Sequence, residues 1–549
     1  MNWPRPTASS LRQDAWAGIT VGLVLVPQAV AYATLAGMPP QTGLYAALLP
    51  SIIGALWGSS ALLAVGPVAL TSLLTFGSLA PMAIPGSAHW VTLAIWLALY
   101  SGCFQFLLGA FRFGRIADIV SQPVIIGFIN AASLIIITSQ LPALLGVTFS
   151  LENFIHPGAI FAGEGMLLTA AFGLTSLVLL GLFKRFMPRF PAMLAVTLVG
   201  IQASWAIDYA ARGGNIVGTI TAGMPLLVLP SDIPFSSHQE LWPAALIIAL
   251  ISFTEAMSSC RVLARKRKEA WHEDQELIGQ GLAKIVSGLC GAFPVSGSFS
   301  RSALNLYAGA TSAWSTLFSA GCVVVCLLFF VDLLYFLPRS VLAAMIIVPV
   351  IGLLDWRAFR RLLRVSRGEG LIALATFAVT LLSTPRLHWG VFVGVGLTML
   401  SFLYRRAHPR LIEVGEHPDG TLRDRRRFDI PRLAPDVLAV RLDSALNFLT
   451  AAMLERFVNE QIREDPQIVR VLVCAGSIND IDVSGIDILE AISRGLHADG
   501  RTLYVSAMKK QVWDVLGRAG VIADIGSEHI FSTDADAIRA MNLTPHQSK

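Results

Sequence analysis

Phe293-Pro294-Val295-Ser296-Gly297-Ser298-Phe299-Ser300-Arg301-Ser302 interrupts an apolar stretch late in the chain, and Leu62-Leu63-Ala64-Val65-Gly66-Pro67-Val68-Ala69-Leu70 interrupts another early. A helix that crosses a bilayer needs about 20 apolar residues. A break inside one leaves backbone groups unpaired unless they line a cavity or are buried in protein. Paired breaks in the two halves of one chain point to a transporter with a central binding site.

The surrounding composition agrees. The 549 residues are 54% hydrophobic and 14% charged, with mean hydropathy +0.64, and the charges gather in a few loops and towards the C-terminus. Such a chain reads as a polytopic α-helical membrane protein. The net charge of +5 comes from basic residues beside apolar runs, which argues against a nucleic-acid partner. Residues 1–13 are polar and the apolar run from Ala15 to Gly37 is too long for a signal-peptide core, so it is expected to be a first span and not a cleaved leader. Five of the six cysteines lie in or beside apolar runs, with Cys474 the exception. Without a CxxC pair or a His/Cys cluster, no metal, cofactor or disulfide is expected.

Fourteen apolar segments can be placed, at 15–37, 42–57, 61–80, 91–110, 122–145, 166–184, 191–211, 242–261, 276–293, 299–312, 313–335, 339–354, 370–385 and 387–404. Arg112/Arg115, Lys184/Arg185/Arg189, the run Arg261 to Lys268, Arg357/Arg360/Arg361/Arg364/Arg367 and Arg405/Arg406/Arg410 follow segments 4, 6, 8, 12 and 14. All five clusters fall on one side, which the positive-inside rule makes cytoplasmic, with both termini. The connection 147–165 holds no Lys or Arg, while Arg212, Arg339 and Arg386 are isolated exceptions on the other side. Fourteen spans with both ends inside can be two copies of seven in opposite orientation. The breaks sit in the third element of each half, with Gly66 and Gly297 231 residues apart, and the polar pair Gln28 and Glu255 lies 227 apart. We read a 7+7 inverted repeat from these positions.

Each broken segment restarts as a short helix, whose first turn presents free N–H groups and a partial positive charge to an anion. Pro67 suits a first helical position, and Ser298 or Ser300 can cap the second helix and offer a hydroxyl. The same residues also fit a plain kink and ordinary packing. Arg301 favours the site reading, because a guanidinium in an apolar stretch costs about 2.5–3.5 kcal/mol on the insertion scale and needs a partner or a wet cavity. There it would attract an oxyanion, with bidentate geometry available; an ion pair with Glu255 or snorkelling is the alternative. Gln28 follows Pro27 midway along segment 1, where its amide can donate to an anion beside Tyr32 or bond to another helix. Glu255 lies midway along segment 8. A buried carboxyl that alternates between neutral and charged can carry a proton, and a permanent salt bridge is the structural alternative. Lys284 is read as pairing with Glu276 or reaching the cytoplasm, and Asp332 as lying near the outer interface; neither is given a role. The run Arg265-Lys266-Arg267-Lys268 reads as an ordinary cytoplasmic loop that can also meet anionic lipid.

After Arg410 hydrophobicity falls. Strand-like runs at 437–442, 469–474 and 502–506 alternate with helical spacing at 450–460, 486–496 and 510–519, giving a small α/β domain. Asp482-Val483-Ser484-Gly485 opens one of those helices, as an ordinary N-cap or as a phosphate-accepting turn at Ser484. The domains are therefore expected at 1–410, in the membrane, and 411–549.

These residues resemble the sulfate permease (SulP/SLC26) family of anion transporters in bacteria, plants and animals. The resemblance covers nearly the whole chain. It rests on Ala17-Gly18-Ile19-Thr20-Val21-Gly22 into Pro27-Gln28, on Gly43-Leu44-Tyr45, on Gly66-Pro67-Val68-Ala69 and on Gly291 to Ala303. The tail resembles a STAS domain, similar to anti-sigma factor antagonists, with Ser484 at their phosphorylatable serine and Val483 where a serine is common. The resemblance implies fourteen spans, a core of spans 1–4 and 8–11 moving against a gate of spans 5–7 and 12–14, a homodimer and an elevator movement. It implies anion contacts from Gln28, Tyr32, Val68, Ala69, Ser300 and Arg301, and proton coupling through Glu255. Lys284 stands where many relatives carry asparagine.

The function expected from all this is secondary active uptake of an oxyanion, sulfate first, with protons as the coupling ion, across the inner (plasma) membrane. Bicarbonate or a dicarboxylate, a passive channel or exchanger, and an anion sensor with a cytoplasmic partner for the tail are the alternatives. No nucleotide loop or nucleophile constellation points to an enzyme.

Overall fold

In the computed structural model, which describes residues 6–114, 120–147, 165–187, 191–221 and 223–541, each of the fourteen apolar segments carries a helix. Arg115, Arg189, the Lys184 side chain and the connection 148–164 lie outside the described residues. The chain divides into two compact units, residues 1–398 and 399–549.

The first unit runs α1 (Ala8–Leu35), α2 (Pro40–Trp57), β1 (Ala64–Gly66), α3 (Ala69–Leu79), α4 (Ala88–Ala110), α5 (Gln122–Leu145), α6 (Met166–Phe186) and α7 (Ala192–Ala206). It continues with α8 (Phe235–Arg267), α9 (Glu273–Leu289), β2 (Ser296–Ser298), α10 (Phe299–Tyr307), α11 (Trp314–Val325), α12 (Arg339–Ile351), α13 (Trp356–Val365), α14 (Arg367–Leu382) and α15 (His388–Ala407). Among the described residues six stretches are long and apolar enough to cross a membrane by themselves: α1, α4, α5, α8, Met166–Phe183 and Arg339–Val365. Both broken segments hold a three-residue strand followed by a short helix.

Two features set the packing around the breaks. Helix α9 crosses α4 where both lack side-chain bulk: a Cβ on Gly281 would lie 2.5 Å from the Phe106 amide nitrogen, and one on Gly102 2.8 Å from the Gly281 carbonyl oxygen. Small residues at a crossing allow such backbone approach. The second feature is Asp14, buried on α1. Its carboxylate accepts from the Thr311 and Ser312 amides at 2.6 and 3.0 Å and from their hydroxyls at 3.1 and 2.5 Å, which ties α1 to the turn before α11. Asp14→Ala would orphan all four donors and is expected to cost about 3 kcal/mol. A melting curve of the detergent-solubilised protein checks this; a midpoint equal to wild type would show that the turn does not depend on the carboxylate.

One expectation needs correcting: the run Arg265-Lys266-Arg267-Lys268, read as a loop, is the last turn of α8 with Lys268 as its C-cap. The basic cluster Arg357 to Arg364 also lies on a helix, α13. Asp355 caps it, accepting from the Ala358 amide at 2.8 Å, and Phe359 is buried beside Trp356 and Phe377, so an apolar edge holds the helix down while the arginines face away.

The second unit is a six-stranded sheet in the order β4-β3-β5-β6-β7-β8, formed by β3 (Leu411–Glu416), β4 (Leu422–Asp424), β5 (Val437–Leu442), β6 (Arg470–Cys474), β7 (Thr502–Ser506) and β8 (Ile530–Phe531). Strands β5 to β8 are parallel, while β3 runs antiparallel to both its neighbours. Helices Ala451–Glu464, Val483–Ala498 and Lys510–Ala519 supply apolar faces to a core built on Leu438, Val440, Val471, Val473 and Val505. Burial in β6 pushes the Cys474 thiol up to about 12, so it is inert packing.

Candidate functional site

The two interruptions form one structure. Strands β1 and β2 pair antiparallel, Ala64 opposite Ser298, Val65 opposite Gly297 and Gly66 opposite Ser296. Backbone groups released by one break are thus satisfied by the other, which answers the demand that a membrane interior places on them. Exchanging the halves at the 231-residue offset maps the pair Val65/Gly297 onto Gly66/Ser296, so the local two-fold runs through the ribbon itself. Serines hold the ribbon in place. The Ala64 amide donates to Ser302 Oγ (2.9 Å), Ser51 Oγ donates to the Val65 carbonyl (2.7 Å), and Ser296 Oγ donates to the Ser252 carbonyl on α8 (3.0 Å).

Helices α3 and α10 leave opposite ends of this ribbon, and α1 and α8 each pack against both. Gln28 and Tyr32 lie on α1, Val68 and Ala69 at the start of α3, Ser300 and Arg301 in the first turn of α10, and Glu255 on α8; of these, Tyr32, Arg301 and Glu255 lie within electrostatic reach of one another. Val68 is the N-cap of α3, so Pro67 sits one residue before the cap and not at the expected first helical position. Its carbonyl has another use, described below. Ser298 caps α10, accepting from the Arg301 amide at 3.4 Å, whereas Ser300 is exposed in the first turn. Gln28 is buried; its Nε2 donates to Met193 Sδ (3.0 Å), and its Oε1 has no partner among the described residues.

Arg301 is 1% exposed. Its Nη1 donates to the Pro67 carbonyl of the opposite break (2.8 Å), while Nε and Nη2 have no partner among the described residues. Among the described residues the possible ion pair with Glu255 is not formed: one guanidinium nitrogen is taken by the carbonyl that follows β1, and Glu255 Oε2 is likewise buried and unpartnered. Gly66 makes room for this. Its φ is 153°, and a Cβ there would stand 3.2 Å from Arg301 Nη2. Behind the ribbon, Arg301 also borders a small cavity lined by Ser51, Asn305, Ser315 and Ser319.

Lys284 requires a second correction. It neither pairs with Glu276 nor reaches outward: it is fully buried, donating to Gln105 Oε1 on α4 and to Ser252 Oγ at 2.7 Å. Glu276 instead accepts from the Ser59 and Ser60 amides (2.9 and 3.0 Å) and from Gln280 (3.1 Å), capping the turn before β1. Gln105, Ser252, Ser51 and Ser302 were not singled out in the sequence. Their signal was available only as polar residues in apolar runs, which is common among packed membrane helices. In the second unit, Asp482 caps its helix through the Gly485 amide (2.9 Å) and also accepts from Phe448 (3.0 Å), with Ser484 half-buried beside it.

The model of the sulfate permease family matches residues 11–376, across both breaks, and that of the STAS domain matches residues 431–537. The chain belongs to the sulfate permease family. Among its curated relatives, "Probable sulfate transporter MT1781" of Mycobacterium tuberculosis (strain CDC 1551 / Oshkosh) is 32% identical over 535 residues, covering 96% of this chain and 95% of the relative. "Sulfate transporter 4.1, chloroplastic" of Arabidopsis thaliana is 30% identical over 549 residues, covering 96% and 79%. The fold is shared with murine Solute Carrier 26 family member A9, described as an anion transporter in the inward-facing state: TM-score 0.88 at 22% identity, covering 98% of this chain and 92% of that one.

Proposed function

We propose that this family member is a secondary active transporter of an oxyanion, sulfate first, bound between the N-termini of α3 and α10 and taken up together with a proton through Glu255. The observation that carries this reading is the ribbon, which holds two helix N-termini and the buried Arg301 in one place. Each helix start contributes about half a positive charge; with the guanidinium the total approaches +2, the complement of a divalent anion. Exposed Ser300 and the first-turn N–H groups of Val68 and Ala69 are the proposed donors, with Gln28 and Tyr32 forming the facing wall. Glu255, lying within electrostatic reach of Arg301, is the proposed proton carrier.

The same reading assigns residues 1–410 to a fourteen-span transport domain, in two inverted sevens with both termini cytoplasmic, and residues 411–549 to a cytoplasmic STAS domain in a homodimer. The ribbon supports an elevator movement: parting the two breaks would unpair three residue pairs in the membrane interior, so the site is better carried as a unit. Ser484, if phosphorylated, would add charge at a helix start, where a phosphate is accommodated.

Uptake of labelled sulfate into proteoliposomes, with and without an inward proton gradient and in competition with bicarbonate, fumarate, succinate and chloride, tests the reading. Gradient-dependent accumulation blocked only by sulfate-like oxyanions is expected. Failure to take up sulfate in vesicles that accumulate bicarbonate or a dicarboxylate would reassign the substrate, and uptake without proton movement would reject coupling in favour of a passive path.

A further inference from the structure

Lys284 is a buried lysine that makes no ion pair among the described residues. Among the described residues its hydrogen bonds go to two neutral groups, Gln105 Oε1 and Ser252 Oγ. Gln105 is held for this purpose, its Nε2 donating to the Ala249 carbonyl (3.1 Å) and so turning its oxygen towards the ammonium. Ser252 connects onward, because its carbonyl accepts from Ser296 Oγ in strand β2. Two hydrogen-bonded steps therefore join Lys284 to the ribbon. The nearby Glu255 lies one turn along α8 from Ser252 and feels the charges of both Lys284 and Arg301.

A buried ammonium with only neutral partners is costly unless a negative charge visits it. We infer that Lys284 is a charge-selectivity residue: its ammonium, held beneath the ribbon by Gln105 and Ser252, makes the site favour divalent over monovalent anions. The inference rests on the anion reading above and deepens it. The two helix starts and Arg301 already attract an anion. A charged Lys284, with Glu255 protonated, adds one further positive charge, which a second charge on the substrate offsets and a monovalent anion leaves standing. With a neutral side chain at position 284 that surplus falls by one unit, and with it the advantage of the second substrate charge. A unit charge roughly 10 Å from the substrate, at an effective dielectric constant of about 20, discriminates a second substrate charge by about tenfold.

The experiment uses the purified full chain in detergent and measures the rise in melting midpoint with increasing sulfate, selenate, oxalate, chloride, nitrate or bicarbonate. Wild type, Lys284→Asn, Lys284→Met and Lys284→Arg are compared. The expected result is a divalent-to-monovalent affinity ratio that falls about tenfold in the Asn and Met variants and is retained in the Arg variant. A ratio within twofold of wild type in both neutral variants overturns the inference while leaving anion transport standing. A wild-type protein that prefers monovalent anions overturns both the inference and the sulfate assignment. Should the neutral variants not fold, the Arg variant still decides: loss of the ratio with the charge retained overturns the inference, and retention supports it.

Discussion

Arg301→Ala is expected to weaken anion binding by at least about a hundredfold while the protein still inserts and can be purified. Two losses combine. The substrate loses the full cation nearest the two helix starts, and truncating one member of a buried charge pair typically costs about 2–5 kcal/mol. The ribbon also loses the bond from Nη1 to the Pro67 carbonyl, which links one break to the other. Arg301→Lys separates these contributions: it keeps a positive charge but not the planar fork that can hold Pro67 and an oxyanion together. Its expected affinity is intermediate. Binding and uptake of labelled sulfate are the measurements, and an alanine variant with wild-type affinity would remove Arg301 from the site altogether.

Glu255→Gln is expected to abolish concentrative uptake. The amide matches the protonated carboxyl in shape and charge but cannot release a proton, so the carrier is held permanently in the form it adopts when loaded. With acid outside, wild-type vesicles should accumulate sulfate above equilibrium and do so faster as external pH falls. The variant should only equilibrate, at a rate indifferent to the gradient. The unpartnered Oε2 makes the substitution mild, because no hydrogen bond to that oxygen is lost. Gradient-driven accumulation by the variant would place the proton path elsewhere.

The two breaks and the buried polar residues around them were legible from residues alone, for definite reasons. Gly-Pro and a serine-rich stretch inside apolar runs have few uses in a membrane, and an arginine there has fewer. The inverted order was read from the basic clusters and from the similar spacings of Gly66/Gly297 and Gln28/Glu255, 231 and 227 residues, and the antiparallel pairing of the two breaks agrees with it. The ribbon was not legible. Strands of three residues rich in glycine and serine have no local β signature, and their pairing partners lie in the other half of the chain. For the same reason the acceptor of Arg301 was missed, since a backbone carbonyl carries no residue-specific signal. Lys284 was misread because a carboxylate was sought for it on its own helix, where Glu276 lies eight residues away, whereas the glycines of α4 and α9 bring Gln105 to it from another helix. Helix α13 was hidden by its arginines, which dominate the composition although Phe359 anchors it.

The ribbon also governs when the site comes into being. Val65 and Gly297 are 232 residues apart. At a synthesis rate of roughly 5–20 residues per second, strand β1 leaves the ribosome on the order of 10–50 seconds before its partner exists. During that interval its backbone must be sheltered by α2 and by Ser51, or remain near water until the second half arrives. An amino-terminal fragment of this protein therefore has half a binding site in the chemical sense as well as the genetic one, and co-expressed halves should recover function only once the late strand has found the early one.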